Sequence, residues 1–328
     1  MIDASSTKTI LVTGGCGFIG HQVSTRLCQL GHDVHVIDTL TNYNHYETYQ
    51  HQKNILIRQE ALREAEVTFH SVDITNSRRV NRLFKAVRPD IVVHLASVPI
   101  ASLALLRPIY LTNQLMDGTV ALLEAARDEG CERFVYISSS MVYGDFLADE
   151  VDEEHPCDPV ELYGSMKLGC ERMVRLYTRH FGLDHTIIRP TAVYGPTGNE
   201  GFVITKFISA AINSGVIKVF GDEVRLDFTY VDDAARGIVL ATTSRNGINQ
   251  TFNIARGEST RILDAARHIQ KLAPGVDVVL EPKDPLYPRR GTLDISKAGR
   301  LLDFKPEFSL EEGLDAFYAH AERALSSA

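Results

Sequence analysis

The chain has 328 residues, 44% of them hydrophobic and 23% charged, which is enough apolar content to bury one large or two modest cores. A formal charge of -8 without clustered Lys and Arg excludes a broad nucleic-acid surface, because phosphate binding needs concentrated positive charge. No stretch approaches the roughly 20 apolar residues that span a bilayer, and Met1 to Thr9 lacks a basic segment followed by an apolar run. The five cysteines (Cys16, Cys28, Cys131, Cys157, Cys170) lack C-x-x-C spacing, so neither a disulfide framework nor a zinc site is suggested. The expectation is a protein of the reducing cytoplasm with no metal, no membrane and no nucleic acid as partner.

Short apolar, β-rich runs alternate with helical stretches from the start. Thr9-Val12, Asp33-Ile37, Val67-Ser71, Ile91-Leu95, Arg133-Ile137 and Asp184-Ile188 each read as a buried parallel strand. Between them, Phe18-Leu30, Arg78-Val87, Asn113-Glu129 and Leu162-Phe181 carry apolar residues at helical spacing, and Gly31, Gly130 and Gly182 stand where helices stop. This alternation implies an α/β fold with a doubly wound parallel sheet of Rossmann type. After Arg189-Pro190 the alternation lapses into Gly195-Pro196-Thr197-Gly198-Asn199, followed by a helix near Val203-Ser214 and a strand near Lys218-Phe220. Asp227-Val231, the helix Ala234-Thr242 and Gln250-Ile254 are expected to return to the first module. Ile262-Leu272, Val276-Glu281 and Leu310-Leu325 belong to a smaller C-terminal α/β domain. The expected division is 1-190 plus 228-256 for a dinucleotide domain and 191-227 plus 257-328 for a substrate domain.

Gly14, Gly17 and Gly20 follow a strand and open a helix, the context that gives a glycine pattern meaning. Residues without Cβ let the turn tighten and the backbone approach a pyrophosphate at a helix N-terminus, with Phe18 and Ile19 inside the same loop. Asp38 ends the second strand, where a carboxylate accepts ribose hydroxyls and repels a 2'-phosphate, so NAD is expected over NADP. Asp73 and Ile74 after the third strand either face the adenine or form an ordinary turn. Leu95, Ala96 and Ser97 end the fourth strand, where small residues let a cofactor pass close, although packing alone also explains them.

Ser138-Ser139-Ser140 closes the fifth strand, and Tyr163 and Lys167 follow on the next helix. Four residues apart, the last two share a helix face, so an ammonium beside the phenol would favour its ionised form and make Tyr163 a proton-transfer group. Together with the glycine loop these residues point to nicotinamide redox chemistry at an alcohol carbon.

These motifs make the chain resemble the extended short-chain dehydrogenase/reductase family, in its nucleotide-sugar epimerase and dehydratase branch. The likeness runs through Thr13 to Gly20, Asp38-Thr39-Leu40, His94-Leu95-Ala96, Ser138 to Gly144, Tyr163 with Lys167, Arg189-Pro190, Val193-Tyr194-Gly195-Pro196, Asp227 to Asp233 and Arg290 to Lys297. The resemblance implies a Ser/Thr-Tyr-Lys triad whose hydroxyl falls on Ser139, an NAD held through the cycle, and a homodimer built on Asn113-Glu129 and Leu162-Phe181. It also implies that Tyr163 and Lys167 contact the cofactor, Lys167 by bonding the nicotinamide ribose. Relatives resembling 4,6-dehydratases carry Asp-Glu directly after the hydroxyl, whereas this chain has Ser140 and Met141, which exchange no proton at neutral pH. The expected reaction is therefore oxidation and return at one carbon, as in 4-epimerases of UDP-hexoses or UDP-hexuronates. A dehydratase or 4-keto-sugar reductase is the alternative.

A nucleotide-sugar substrate brings a diphosphate, for which Arg225 and Arg290 are the candidates, with Ser139, Ser140 and Thr191 near the sugar. Two positions depart from the family pattern. Leu226 separates Arg225 from Asp227-Phe228, and Ala192 stands where an Asn is common, leaving Thr191 to substitute. His94 and Cys157 are assigned no role.

Overall fold

Thr9–Thr13 reads Thr-Ile-Leu-Val-Thr, and its β-branched residues suit a strand buried on both faces. In a computed structural model, which describes residues 7–41, 49–98, 105–213, 215–283 and 287–326, this strand (β1) lies inside a parallel sheet, with a neighbour on each side. The others are β2 (Asp33–Asp38), β3 (Thr68–Ser71), β4 (Ile91–His94), β5 (Arg133–Ile137) and, after the two-residue β6 (Glu150–Val151), β7 (Asp184–Pro190). Val193–Tyr194 (β8), Val216–Phe220 (β9), Arg225–Leu226 (β10) and Thr229–Tyr230 (β11) lie outside the sheet, and Gln250–Ile254 (β12) returns to it beside β7, with Phe252 opposite Ile188. The order β12-β7-β5-β4-β1-β2-β3 reverses direction of growth between β1 and β4, the point where ligands collect in such sheets.

Alternate side chains of each strand feed two separate cores. Ile10 and Val12 of β1 face a cluster with Val23, Leu27, Ile238 and Phe304, whereas Leu11 faces Val80, Phe84, Leu122, Leu123 and Val174 on the opposite side. A further cluster joins Ile204, Phe207, Ile217, Val219, Ile262, Ile269, Leu314 and Phe317. The helices that build it, Val203–Ile212, Ile262–Leu272 and Leu310–Ser326, are close to those expected; the anticipated helix end at Ser214 lies outside the described residues.

Gly31, Gly130 and Gly182 take positive φ just past their helices, which a residue with a Cβ adopts only at a cost. Two elements differ from the sequence expectation. Tyr49–Glu64 forms a helix whose polar sequence shows no clean apolar face, with Leu56 and Ile57 left exposed. The helix expected over Asn113-Glu129 begins as a π-turn, Asn113–Asp117, inserted between Pro108–Thr112 and Gly118–Asp128. Among the described residues, no helix is long and apolar enough to cross a membrane.

Candidate functional site

The carboxyl ends of β1, β2, β4, β5 and β7 border one cleft of about 1200 Å³. Its floor at β1 is the glycine loop. Gly14 has φ +68°, and a Cβ there would stand 2.8 Å from the Ala96 backbone. A Cβ on Gly20 would stand 2.1 Å from the Gly14 carbonyl oxygen, so Gly20 lies beneath the loop and lets helix and turn touch, rather than lining the cleft. The Gly20–Gln29 helix has no side-chain cap and no acidic residue in its first turn. Its leading N–H groups therefore remain suited to an anion.

Asp38 ends β2 with one carboxylate oxygen accepting from Cys16 N–H (3.0 Å) and the other from Leu40 N–H (2.9 Å). Burial pushes its carboxyl up, while these backbone donors and the Arg58 guanidinium pull it down. A carboxylate has about four acceptor sites, so capacity remains for hydroxyl donors from a ribose. Phe18, Ile19, Leu95, Ala96 and Ser97 line the cleft as expected, and Gly14 and Gly17 with them. Asp73 and Ile74 do not: Asp73 Oδ1 caps a turn through Thr75 N–H (2.9 Å) and Thr75 Oγ1 (2.8 Å), and Ile74 packs in the core. The tight turn, open helix end and Asp38 together fit a dinucleotide.

Ser139, Tyr163 and Lys167 meet on the opposite wall of that cleft. Ser139 caps the short turn Ser140–Tyr143, its Oγ accepting from Met141 N–H at 3.2 Å, which leaves its own proton free to be donated. Tyr163 and Lys167 lie in the first turns of the Leu162–Phe181 helix, both buried. Lys167 Nζ donates to the Ile137 carbonyl at 2.8 Å and sits 5.8 Å from the centre of the Tyr163 ring. The sequence expectation that this amine keeps the phenol ionised does not describe the arrangement. Burial dominates, pushing the Tyr163 phenol up to about 12 and the Lys167 ammonium down to about 8, because each charged form loses water.

Arg290 also reaches the cleft, donating to Ser140 Oγ (2.8 Å), Ser140 O (3.1 Å) and Gly144 O (3.2 Å), with its guanidinium 5.0 Å above the Phe146 ring. Ser140 and Thr191 are buried and line the wall beside Ala192, whose φ of +37° is unusual for a residue with a Cβ. Arg225 is not brought to the site. It is exposed, donating to Ser259 Oγ (3.2 Å) and Ser259 O (2.7 Å), whereas Leu226 lines the cleft. The cause is alternation: β10 pairs antiparallel with Thr260–Arg261 (β13), and adjacent strand residues point to opposite faces.

Sequence reasoning missed Arg58 and Thr197. Arg58, on the Tyr49–Glu64 helix, is buried in the cleft wall, with Nε donating to Thr197 Oγ1 (3.3 Å) and an NH2 group to the Thr197 carbonyl. No local pattern announced it, since the helix has no clean apolar face. Lys206, Lys218, Lys283 and Phe220 were missed as well; for β9 the signal was legible, because its buried residues alternate with exposed Val216, Lys218 and Phe220, all facing the cleft. His94 is structural: fully buried, with burial lowering its pKa to about 3, it bonds Thr13 Oγ1 (2.7 Å) and Thr119 Oγ1 (3.0 Å).

The family model for the NAD dependent epimerase/dehydratase family matches residues 10–255. A UDP-glucuronate 4-epimerase of Thermodesulfobacterium geofontis is 31% identical over 310 residues, covering 93% of each chain. Among solved structures, the UDP-glucose 4-epimerase of Thermotoga maritima, crystallised with UDP-glucose, superposes with a TM-score of 0.87 at 28% identity, covering 97% of this chain and 99% of its own. The UDP-glucuronic acid 4-epimerase of Bacillus cereus, in complex with UDP-glucuronic acid and NAD, does so at 0.86 and 28%, covering 96% and 99%. With the glycine loop, Asp38 and the Ser139, Tyr163 and Lys167 wall on one cleft, the chain belongs to the NAD-dependent epimerase/dehydratase family.

Proposed function

We propose that this chain is an NAD-dependent 4-epimerase of a nucleotide-diphosphate sugar, with a UDP-hexose or UDP-hexuronate as substrate. The observation that carries the reading is the wall of the cleft. Ser139, Tyr163 and Lys167 converge there, while the two residues after Ser139 are Ser140, held by Arg290, and Met141. Elimination of water needs an acid and a base at that place, and neither side chain serves as one. A cleft of about 1200 Å³ also exceeds the ~300–1,000 Å³ typical of a single-ligand site, leaving room for a dinucleotide and a second nucleotide together.

Gly14, Gly17, the Gly20–Gln29 helix end and Asp38 would hold the pyrophosphate and adenosine ribose, and Leu95 to Ser97 the path toward the nicotinamide. The chemistry that NAD supplies when bound is reversible hydride exchange with the sugar carbon. Tyr163 moves the proton of the adjacent hydroxyl, and Ser139 donates to the same oxygen. Lys167 keeps positive charge near that oxygen at neutral pH, where it is below its pKa of about 8. The lysines at 206, 218 and 283, with Arg290, supply positive charge for a diphosphate. Incubation with UDP-, dTDP-, GDP- and CDP-sugars tests the reading. An isomer of unchanged mass is expected, whereas loss of water or a requirement for added NADH would replace epimerisation by dehydration or reduction.

Arg58 is part of the same proposal as a clasp between the Tyr49–Glu64 helix and the loop at Thr197, beside Asp38. Arg58→Met is expected to speed NAD loss by about tenfold, the worth of one charge-assisted hydrogen bond. Cofactor retained after gel filtration measures it, and unchanged retention would remove Arg58 from the site.

A homodimer is proposed on the Pro108–Asp128 segment and the Leu162–Phe181 helix. Leu105 and Leu106 just ahead of the first and Ile109 within it are 78%, 71% and 78% exposed, and Leu176 and Phe181 on the second are about half exposed. Sedimentation as a monomer would overturn this. All five cysteines are unpaired, which suits the reducing cytoplasm proposed as its location.

A further inference from the structure

Ser97 sits at the end of β4's run, on the cleft, with its hydroxyl out of contact with solvent and without a hydrogen-bond partner among the described residues. A buried hydroxyl left unpaired in a polar wall costs free energy, so its orientation calls for a use. The neighbouring residue Val98 packs in one cluster with Tyr163. Ser97 and Tyr163 line the same cleft, and among the described residues the Ser97 hydroxyl is the neighbour that opposes the effect of burial on the Tyr163 phenol. Contacts of this kind are often loose before substrate binds and tighten in the reacting complex. Lys167, which sequence alone would assign to the task, is turned to the Ile137 carbonyl.

The serine is also held in place. Ala96 N–H donates to Thr13 Oγ1 at 3.1 Å, and Thr13 Oγ1 is bonded to His94. Since Thr119 Oγ1 donates to the Leu115 carbonyl, His94 Nε2 carries the proton toward Thr119 and Nδ1 accepts from Thr13. That network ties His94 and Ala96, the residues leading into Ser97, to β1 and to the Gly118–Asp128 helix.

We propose that Ser97 is a positioning residue of the proton relay, its hydroxyl donating to the phenolic oxygen of Tyr163 and stabilising the anion formed when that proton leaves. The inference rests on the reading of Tyr163 as the proton-transfer group. The other titratable groups around the phenol are Lys167 and Cys170 on its own helix and Tyr136 on β5. None of them replaces a hydroxyl donor. Cys170 raises the phenol rather than lowering it, and Tyr136 is itself held neutral by burial.

The test is ultraviolet difference titration of phenolate on the NAD-loaded protein, with the Tyr163→Phe curve subtracted to isolate Tyr163. Ser97→Ala is expected to move the Tyr163 ionisation up by about one pH unit, and Ser97→Thr to restore it. Ser97→Cys, which keeps the volume but donates weakly, should shift it in the same direction as Ser97→Ala, so the test survives if the alanine variant does not fold. An unmoved titration in Ser97→Ala or Ser97→Cys overturns the proposal, as does an effect confined to NAD retention. Because the readout is spectroscopic, a shift without epimerase activity would fault the proposed reaction alone. Epimerase activity without the shift would fault only the role of Ser97.

Discussion

Tyr163→Phe is expected to cut turnover by about 10²–10⁴-fold while NAD remains bound, because it deletes one proton-transfer atom and nothing else. The ring is buried against Val98, Leu111, Leu115 and Met166, and phenylalanine fills the same space. The cofactor contacts expected of Gly14, Gly17 and Asp38 come from the ends of β1 and β2, whereas Tyr163 stands on the Leu162–Phe181 helix. Stability should change little, since the phenol is neutral at pH 7 and its oxygen has no ordinary hydrogen bond to lose among those described. Product isomer formed per minute gives the first readout. Absorbance of the cofactor released by denaturation gives the second. Turnover within tenfold of the parent would show that another group moves the proton, and loss of NAD would mean that the phenol binds cofactor rather than relaying a proton.

The largest effect on stability is expected from Glu171→Ala. Glu171 is on the Leu162–Phe181 helix one turn past Lys167, with 1% of its side chain exposed, and both its oxygens accept from Arg189 on β7, at 2.9 Å from Nε and 2.7 Å from NH2. Arg189 is itself almost wholly buried, 4.8 Å over the Tyr143 ring. Removing the carboxylate leaves a buried guanidinium with, among the described residues, the Glu153 carbonyl and an aromatic face, at a cost of about 3–5 kcal/mol. Arg175, which also reaches Glu171 at 3.5 Å, is half exposed and loses little. The double variant Glu171→Met with Arg189→Met should be less destabilised than the single one, because no unpaired charge remains inside. Urea unfolding midpoints of the three proteins decide the matter. A single variant within about 1 kcal/mol of the parent would mean that water already solvates the pair.

The glycine loop, Asp38 and the Ser139, Tyr163 and Lys167 set were legible because each depends on local chemistry. A residue without Cβ at Gly14, an acid at a strand end and two side chains one helical turn apart are all stated by adjacent letters. Sheet strands were legible for a similar reason: burial on both faces demands an unbroken apolar run, as in β1 and β4. The Tyr49–Glu64 helix escaped because its burial is partial and two of its buried residues, Asn54 and Arg58, are polar, with Leu62 buried beside them. The Arg58–Thr197 contact escaped because its partners are 139 residues apart. Arg225 misled because a two-residue strand turns on a single step of alternation. An arginine one position early therefore faces Ser259 instead of the cleft.

Residue order alone determined the doubly wound sheet, the tight glycine turn at the end of β1 and the presence of a hydroxyl, a phenol and an amine at the ends of neighbouring elements, since these follow from side-chain periodicity and from backbone freedom within a few residues. Tertiary structure alone decided which partner each takes. It turned Lys167 to the Ile137 carbonyl, left the Ser97 hydroxyl beside Tyr163, committed Arg290 to Ser140 and paired Arg189 with Glu171. Those choices depend on how far water is excluded and on which distant strand ends meet, and neither quantity is written in any short stretch of the chain.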